Sequence, residues 1–217
     1  MGLIVHQVPV GGFDDNFSYL IYDEAEETGL VVDPTGDVNL IFAAVQDLHI
    51  TLTGILLTHT HFDHTDGLPE VIKRTGSIPI YVHELGTPAV HEYGGIRPIV
   101  DHTELTVGDG LISVIHTPGH IDDAVCYFIA ATDAASGKPK LISGDTLFVG
   151  GCGRTTETRV KDLYESLQEL KQLPPETIIY PGHDYGDTHT ATLAHELSTN
   201  QYLLAKDLNS FIRLRLG

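Results

Sequence analysis

The sequence predicts an α/β fold, and three features carry that expectation. Short segments rich in Val, Ile, Leu and Tyr recur along the chain. Between them lie stretches whose apolar residues return every three or four positions, which is the helical period. No repeat, low-complexity linker or composition break interrupts this alternation. The 217 residues therefore read as one domain, 1–217, ending in a short helical tail at about 200–217.

The elements follow in order. Residues 2–8, 17–23 and 28–33 read as strands, separated by the turn-rich "GGFDD" and "EAEET". "DVNLIFAAVQDLH" places Val38, Ile41, Phe42, Val45 and Leu48 on one helical face, with Asp37 as N-cap. "GILL" at 54–57 is a short buried strand, and "GLPEVIKRTG" a helix closed by Lys73, Arg74 and Gly76. "IPIYVH" is a strand, and residues 86–103 read as loop. Strands resume at 111–116, 124–130 and 139–143. The Leu163, Leu167 and Leu170 stripe marks a helix in "VKDLYESLQELKQL". Strand "TIIY", helix "THTATLAHELSTN" and an amphipathic helix in "KDLNSFIRLRL" complete the chain. The result is a strand-rich half followed by a second such half.

Composition narrows the function classes. With 41% hydrophobic and 19% charged residues the chain is an ordinary globular protein, and at this length it needs no metal or disulfide merely to fold. Twelve Lys and Arg face 30 Asp and Glu, a net charge of −18 that repels phosphate backbones and argues against nucleic acid as partner. No apolar run reaches the ~20 residues of a membrane span, and no signal peptide is evident. Two cysteines, Cys126 and Cys152, lack framework spacing, which suggests reduced thiols and a cytoplasmic location. Nothing in the pattern sets the oligomeric state.

Thirteen histidines are many, and five of them cluster with carboxylates. "HTHFDH" at 59–64 directly follows the strand "GILLT" and precedes a helix, so it sits at the carboxyl end of a strand, where α/β folds place their sites. His59 and His61 are two apart and point the same way in extended backbone, whereas Asp63 and His64 follow the turn. Three further strand ends carry one such side chain each: His120 in "VIHTPGH", Asp145 in "LISGDTLF" and His183 in "IIYPGHDYG". Five imidazoles and two carboxylates form a nitrogen-rich donor set suited to two divalent ions, zinc first, with iron or manganese as alternatives. His6, His49, His83, His91, His102, His116, His189 and His195 stand apart from this pattern and read as ordinary core or surface residues.

With these motifs the chain resembles the metallo-β-lactamase superfamily, whose signature is His-x-His-x-Asp-His. The likeness spans roughly residues 3–200 and is strongest at "THTHFDHTDG", "HTPGH", "SGDTLFVGGCGR" and "YPGHDYG". Within the superfamily it looks most like glyoxalase II, the hydroxyacylglutathione hydrolase. The resemblance implies a four-layer αββα sandwich with metals at one edge. It implies His59, His61 and His120 on one ion, Asp63, His64 and His183 on the other, and Asp145 bridging. Two such ions share a water and lower its pKa toward neutrality, and the resulting hydroxide attacks a carbonyl carbon. Asp63 is free to orient that hydroxide, so Asp63 and Asp145 are the candidate catalytic carboxylates. A thiolate leaving group departs with little protonation help, which fits a small-molecule thioester substrate.

The resemblance thins toward the substrate. Full-length glyoxalase II carries a helical C-terminal domain whose basic residues hold the glutathione carboxylate, whereas about 17 residues follow "STN" here. Arg154 stands where the family has a basic residue and Tyr185 where it has tyrosine, so both are candidate substrate contacts. Thr156 replaces the family's aromatic. Arg213 and Arg215 in the tail read as a solvated helix face. "GCGRT" also resembles the persulfide dioxygenases, which hold one iron with two histidines and an aspartate; "HTPGHIDDAVCYF" departs from their Ser-Pro-Gly-His-Thr-Pro-Gly. Hydrolysis is the first expectation and the dioxygenase the alternative.

Overall fold

The computed structural model describes residues 2–131 and 137–217. The first half forms a six-stranded sheet in sequence order: β1 (Ile4–Gly11), β2 (Asn16–Asp23), β3 (Thr28–Val32), β4 (Thr51–Leu56), β5 (Ile80–His83) and β6 (Ile96–Ile99). The first three strands are an antiparallel meander, and β3 to β6 pair in parallel. Each parallel step needs a crossover. Helix α1 (Val38–Asp47) supplies the one from β3 to β4. Helices α2 (Phe62–Thr65) and α3 (Leu68–Thr75) supply the next, and α4 (Thr87–Val90) lies in the third. Asp37 caps α1 as its sequence suggests, its side chain accepting from the Asn39 N–H at 3.1 Å.

The second half builds another six-stranded sheet. It contains β7 (Glu104–Val107), β8 (Gly110–His116), β9 (Val125–Ile129), β10 (Lys140–Gly144), β13 (Ile178–Pro181) and β14 (Ala191–Thr192), in the order β14-β13-β10-β9-β8-β7. A small hairpin, β11 (Leu147–Phe148) with β12 (Gly151–Cys152), follows β10. Helices α5 (Val160–Leu170), α6 (Leu193–Thr199) and α7 (Leu208–Leu216) complete the chain.

Strand periodicity divides the apolar residues into layers. Along β2, Phe17, Tyr19 and Ile21 face the second sheet's Val114, Tyr127 and Ile142, while Leu20 and Tyr22 face Ile41 of α1 and Val71 of α3. Cys126 and Leu141 on the far face of the second sheet pack against Leu163, Leu167 and Leu170 of α5 and Phe211 of α7. The layers run helix, sheet, sheet, helix, as expected. No helix among the described residues is long and apolar enough to cross a membrane.

Three expectations change. Residues 86–103, read as loop, hold α4 and the edge strand β6. Pro98 and the Gly94-Gly95 pair mask that strand in sequence, but an edge strand tolerates proline. β7, unassigned from the sequence, pairs in a tight hairpin with β8. The helix expected over residues 188–200 spans only Leu193–Thr199, because Ala191 and Thr192 pair with β13.

Candidate metal centre

All four histidine- and aspartate-bearing strand ends meet at one edge of the sandwich. β4 runs out into His59 and His61, β8 into His120, β10 into Asp145 and β13 into His183. His59, His64 and His183 are at most 2% exposed and Asp145 is 9% exposed. His61 Nδ1 lies 3.0 Å from His59 Nε2 and 2.9 Å from His120 Nε2. His64 Nε2 and His183 Nε2 are 3.3 Å apart, and Asp63 Oδ2 is 3.6 Å from His183 Nε2. Asp145 stands between these groups, Oδ2 at 3.5 Å from His120 and Oδ1 at 3.3 Å from both His64 and His183. His59, His61 and His120 thus converge as one potential metal-holding group and Asp63, His64 and His183 as another, with Asp145 reaching toward both.

The outward nitrogens reveal what the inward ones can do. His120 Nδ1 donates to the Arg154 carbonyl at 2.8 Å and His183 Nδ1 to the Asp14 carbonyl at 2.7 Å. His64 Nδ1 donates to the Asp33 carboxylate at 2.9 Å. Thr58 Oγ1 donates to Asp33 at 2.6 Å, which leaves its lone pair to accept from His59 Nδ1 at 3.1 Å. Each partner fixes the proton on Nδ1 and bares the Nε2 lone pair. The Nε2 lone pairs of His64 and His183, 3.3 Å apart, repel one another unless a proton or a cation sits between them. The buried Asp145 Oδ1 adds an acceptor with no hydrogen bond among the described residues. This donor set fits divalent metal.

The electrostatics agree. Burial holds the pKa values of His59 and His120 below the usual histidine range, so both stay neutral, as ligands must. Burial opposes charge on His64 too, but the flanking Asp145 and Asp33 outweigh it and raise its pKa well above normal, a pull toward positive charge that a cation held there would satisfy with the ring neutral. Burial likewise disfavours the Asp145 carboxylate, and the surrounding His64, His183 and His59 overcome that and hold it well below the usual range.

Two glycines allow this density. A Cβ at Gly182 would strike Asp145 Oδ1 and the His64 ring, and one at Gly153 would strike the Asp145 carbonyl and the His120 ring. Asp33 has no role among the sequence-predicted site residues. It ends β3 before Pro34, the placement that singled out Asp145, and it serves one histidine from each group. Asn16 is a second residue without a sequence-predicted role; its side chain ties the β1–β2 turn to the Asp63 carbonyl at 2.9 Å.

A cavity of about 630 Å³ opens over the centre, and Arg154 and Tyr185 both line it. Arg154 is exposed. Tyr185 stacks on His183, with rings 4.8 Å apart and 2° from parallel, and its hydroxyl donates to Asp14. Burial and then Asp14 raise its pKa. Arg215 departs from the expected solvated face: it turns back so that Nε donates to the Gly153 carbonyl at 2.8 Å and the guanidinium lies over Tyr202.

Residues 11–183 match the family described as the metallo-beta-lactamase superfamily. The chain belongs to that superfamily. Among solved structures it is similar to a metallo-beta-lactamase from Staphylococcus aureus subsp. aureus COL, at 25% identity and a TM-score of 0.85. That alignment covers 99% of this chain and 66% of the other, so this chain spans just under two thirds of that protein's length. ETHE1 from Myxococcus xanthus aligns at 29% identity and a TM-score of 0.84, over 99% of this chain and 90% of its own. TTHA1623 in a di-iron-bound form aligns at 30% identity and a TM-score of 0.70, over 88% and 97%.

Proposed function

We propose that this superfamily member is a metal-dependent hydrolase of a small-molecule thioester, such as S-lactoylglutathione or a related acyl thiol, acting as a single-domain cytoplasmic enzyme. The observation that carries the metal part is the pair of converging donor groups with Asp145 between them. His59, His61 and His120 would hold one ion, Asp63, His64 and His183 the second, and Asp145 would bridge. Zinc is the first choice; iron gains support from the likeness to a di-iron-bound structure.

Divalent ions held there supply an activated water and a Lewis acid for the scissile carbonyl. The protein's own groups do the rest. Asp63, with a side chain 24% exposed, faces the cavity and orients the attacking water. Arg154 binds the anionic end of the thiol carrier, an attraction this acidic chain supplies in few places. Tyr185 contributes its ring and hydroxyl oxygen, since its proton is committed to Asp14. A thiolate leaves without a proton donor, so no general acid is required.

The alternative is a mononuclear iron persulfide dioxygenase using the same donors, and the likeness to ETHE1 fits it equally but not better. Metal analysis, with S-lactoylglutathione hydrolysis measured beside oxygen uptake on glutathione persulfide, separates the two. Thioester turnover without oxygen uptake is expected. Oxygen uptake with untouched thioesters would reject the hydrolase.

A further inference from the structure

Phe13 and Phe62 are the two most exposed large hydrophobic side chains among the described residues, at 83% and 72%. A single exposed apolar side chain is unremarkable in a folded protein. These two come from different elements and line the same cavity over the metal centre, together with Phe148 and Tyr185. Both are presented by pinned backbone. Phe62 stands between His61 and Asp63, where the His64 N–H and Thr65 hydroxyl donate to the His61 carbonyl at 3.0 and 3.1 Å. Phe13 caps the β1–β2 turn. That turn is tied to the donor segments by Asn16 to the Asp63 carbonyl at 2.9 Å, His183 to the Asp14 carbonyl at 2.7 Å, and the Asp184 N–H to the Asp15 carbonyl at 2.9 Å.

We propose that Phe13 and Phe62 form an apolar clamp that selects substrates with an aryl or branched-alkyl acyl group over small hydroxyacyl groups. This rests on the hydrolase reading above and names its substrate class more closely. Two ring faces left in water at the mouth gain by covering an apolar group and releasing that water. Arg154, Thr155 and Thr156 on the same cavity remain for the polar end of the substrate. A lactoyl group gains little from either ring, so S-lactoylglutathione is turned over less efficiently than a thioester with an aryl acyl group.

Binding of two thiols to the zinc-loaded protein tests this without relying on turnover. The probes are mercaptoacetate and its benzyl-substituted relative, 2-mercapto-3-phenylpropanoate, compared by calorimetry with zinc content measured in the same samples. The benzyl compound should bind roughly tenfold more tightly. That ratio should fall to roughly threefold in Phe13→Ser or Phe62→Ser, and to about one in the double variant. If Phe62→Ser loses zinc, Phe62→Ala in its place keeps the test open. Equal affinities in the unsubstituted protein, or an undiminished ratio in both variants, overturn the clamp and leave the metal centre standing. Failure of the protein to take up zinc overturns the metal reading and the clamp together, and zinc-loaded protein that binds neither thiol overturns the clamp alone.

Discussion

The floor of the cavity and its mouth are built on opposite terms. On the floor, four histidines are each held from behind by a carbonyl, a carboxylate or a hydroxyl, and all but His120 are almost fully buried. At the mouth, Phe13, Phe62 and Arg154 project into solvent, and no hydrogen bond among the described residues fixes their side chains. The floor is over-determined, so one lost contact propagates to several donors. The mouth is set by backbone position alone, so its side chains can be exchanged with little consequence below. If the floor carries the proposed chemistry and the mouth the proposed selectivity, substitutions in the two regions should fail differently.

The largest expected effect lies at the point both donor groups share. Asp145→Ala should lower the affinity of both ions and cut activity by well over 100-fold, since even changes behind the ligands cost about 10–100-fold. His183→Ala should empty mainly the position it shares with Asp63 and His64. Metal content per chain for the two variants checks this, and two tightly held ions in Asp145→Ala would break the bridging assignment.

Next comes Asp33. It accepts from the Thr58 N–H at 2.7 Å, the Thr58 hydroxyl at 2.6 Å and His64 Nδ1 at 2.9 Å, so it positions one histidine of each group without facing the cavity. Asp33→Asn turns an amide N–H against one of those donors. Metal affinity should fall roughly 10–100-fold at both positions while the fold persists. Competition with a chelating dye reads each site, and a loss confined to one ion would mean that Asp33 does not link them.

This contrast also explains what could be read from the sequence. The donors announce themselves because each lies within a few residues of an apolar strand's end, as in "GILLTHTH" and "LISGD", and a strand end fixes where the following side chains go. Asp33 obeys the same rule in "VVDP" and was legible, though only its partners reveal that it braces rather than binds. Phe13 carried no such signal. A phenylalanine in "GGFDDNF" reads as turn or core, and only the tertiary return of β13 beside that turn places it over the histidine and aspartate cluster. The β6 and β14 pairings were likewise invisible, because short edge strands are specified by a neighbour rather than by their own period.

At the mouth the expected effects are smaller. Arg154→Ala should raise KM roughly tenfold for an anionic thioester and leave kcat near its original value, the pattern of lost ground-state binding. Metal content should stay unchanged. A fall in kcat with metal loss would place Arg154 with the floor instead, through its carbonyl contact to His120.

The smallest effect concerns whether the loop behind Arg154 opens at all. Cys152 ends β12, two residues before Arg154, and Cys126 lies in the core of the second sheet; burial pushes both thiols up to about 12. At pH 8 only about one thiol in ten thousand is then ionised, so both should resist iodoacetamide in the native state. The linkage has a definite sign. A thiol whose pKa is raised on folding stabilises the fold fully below the unfolded value near 8.5, and that contribution is lost as pH rises toward 12. Unfolding midpoints should therefore hold steady across neutral pH and decline above about pH 9. If the mouth is set by backbone as rigid as the floor, Cys152 and Cys126 label at similarly slow rates. Much faster labelling of Cys152 alone would mean that the loop carrying Arg154 opens on its own, and the mouth would then differ from the floor in motion as well as in exposure.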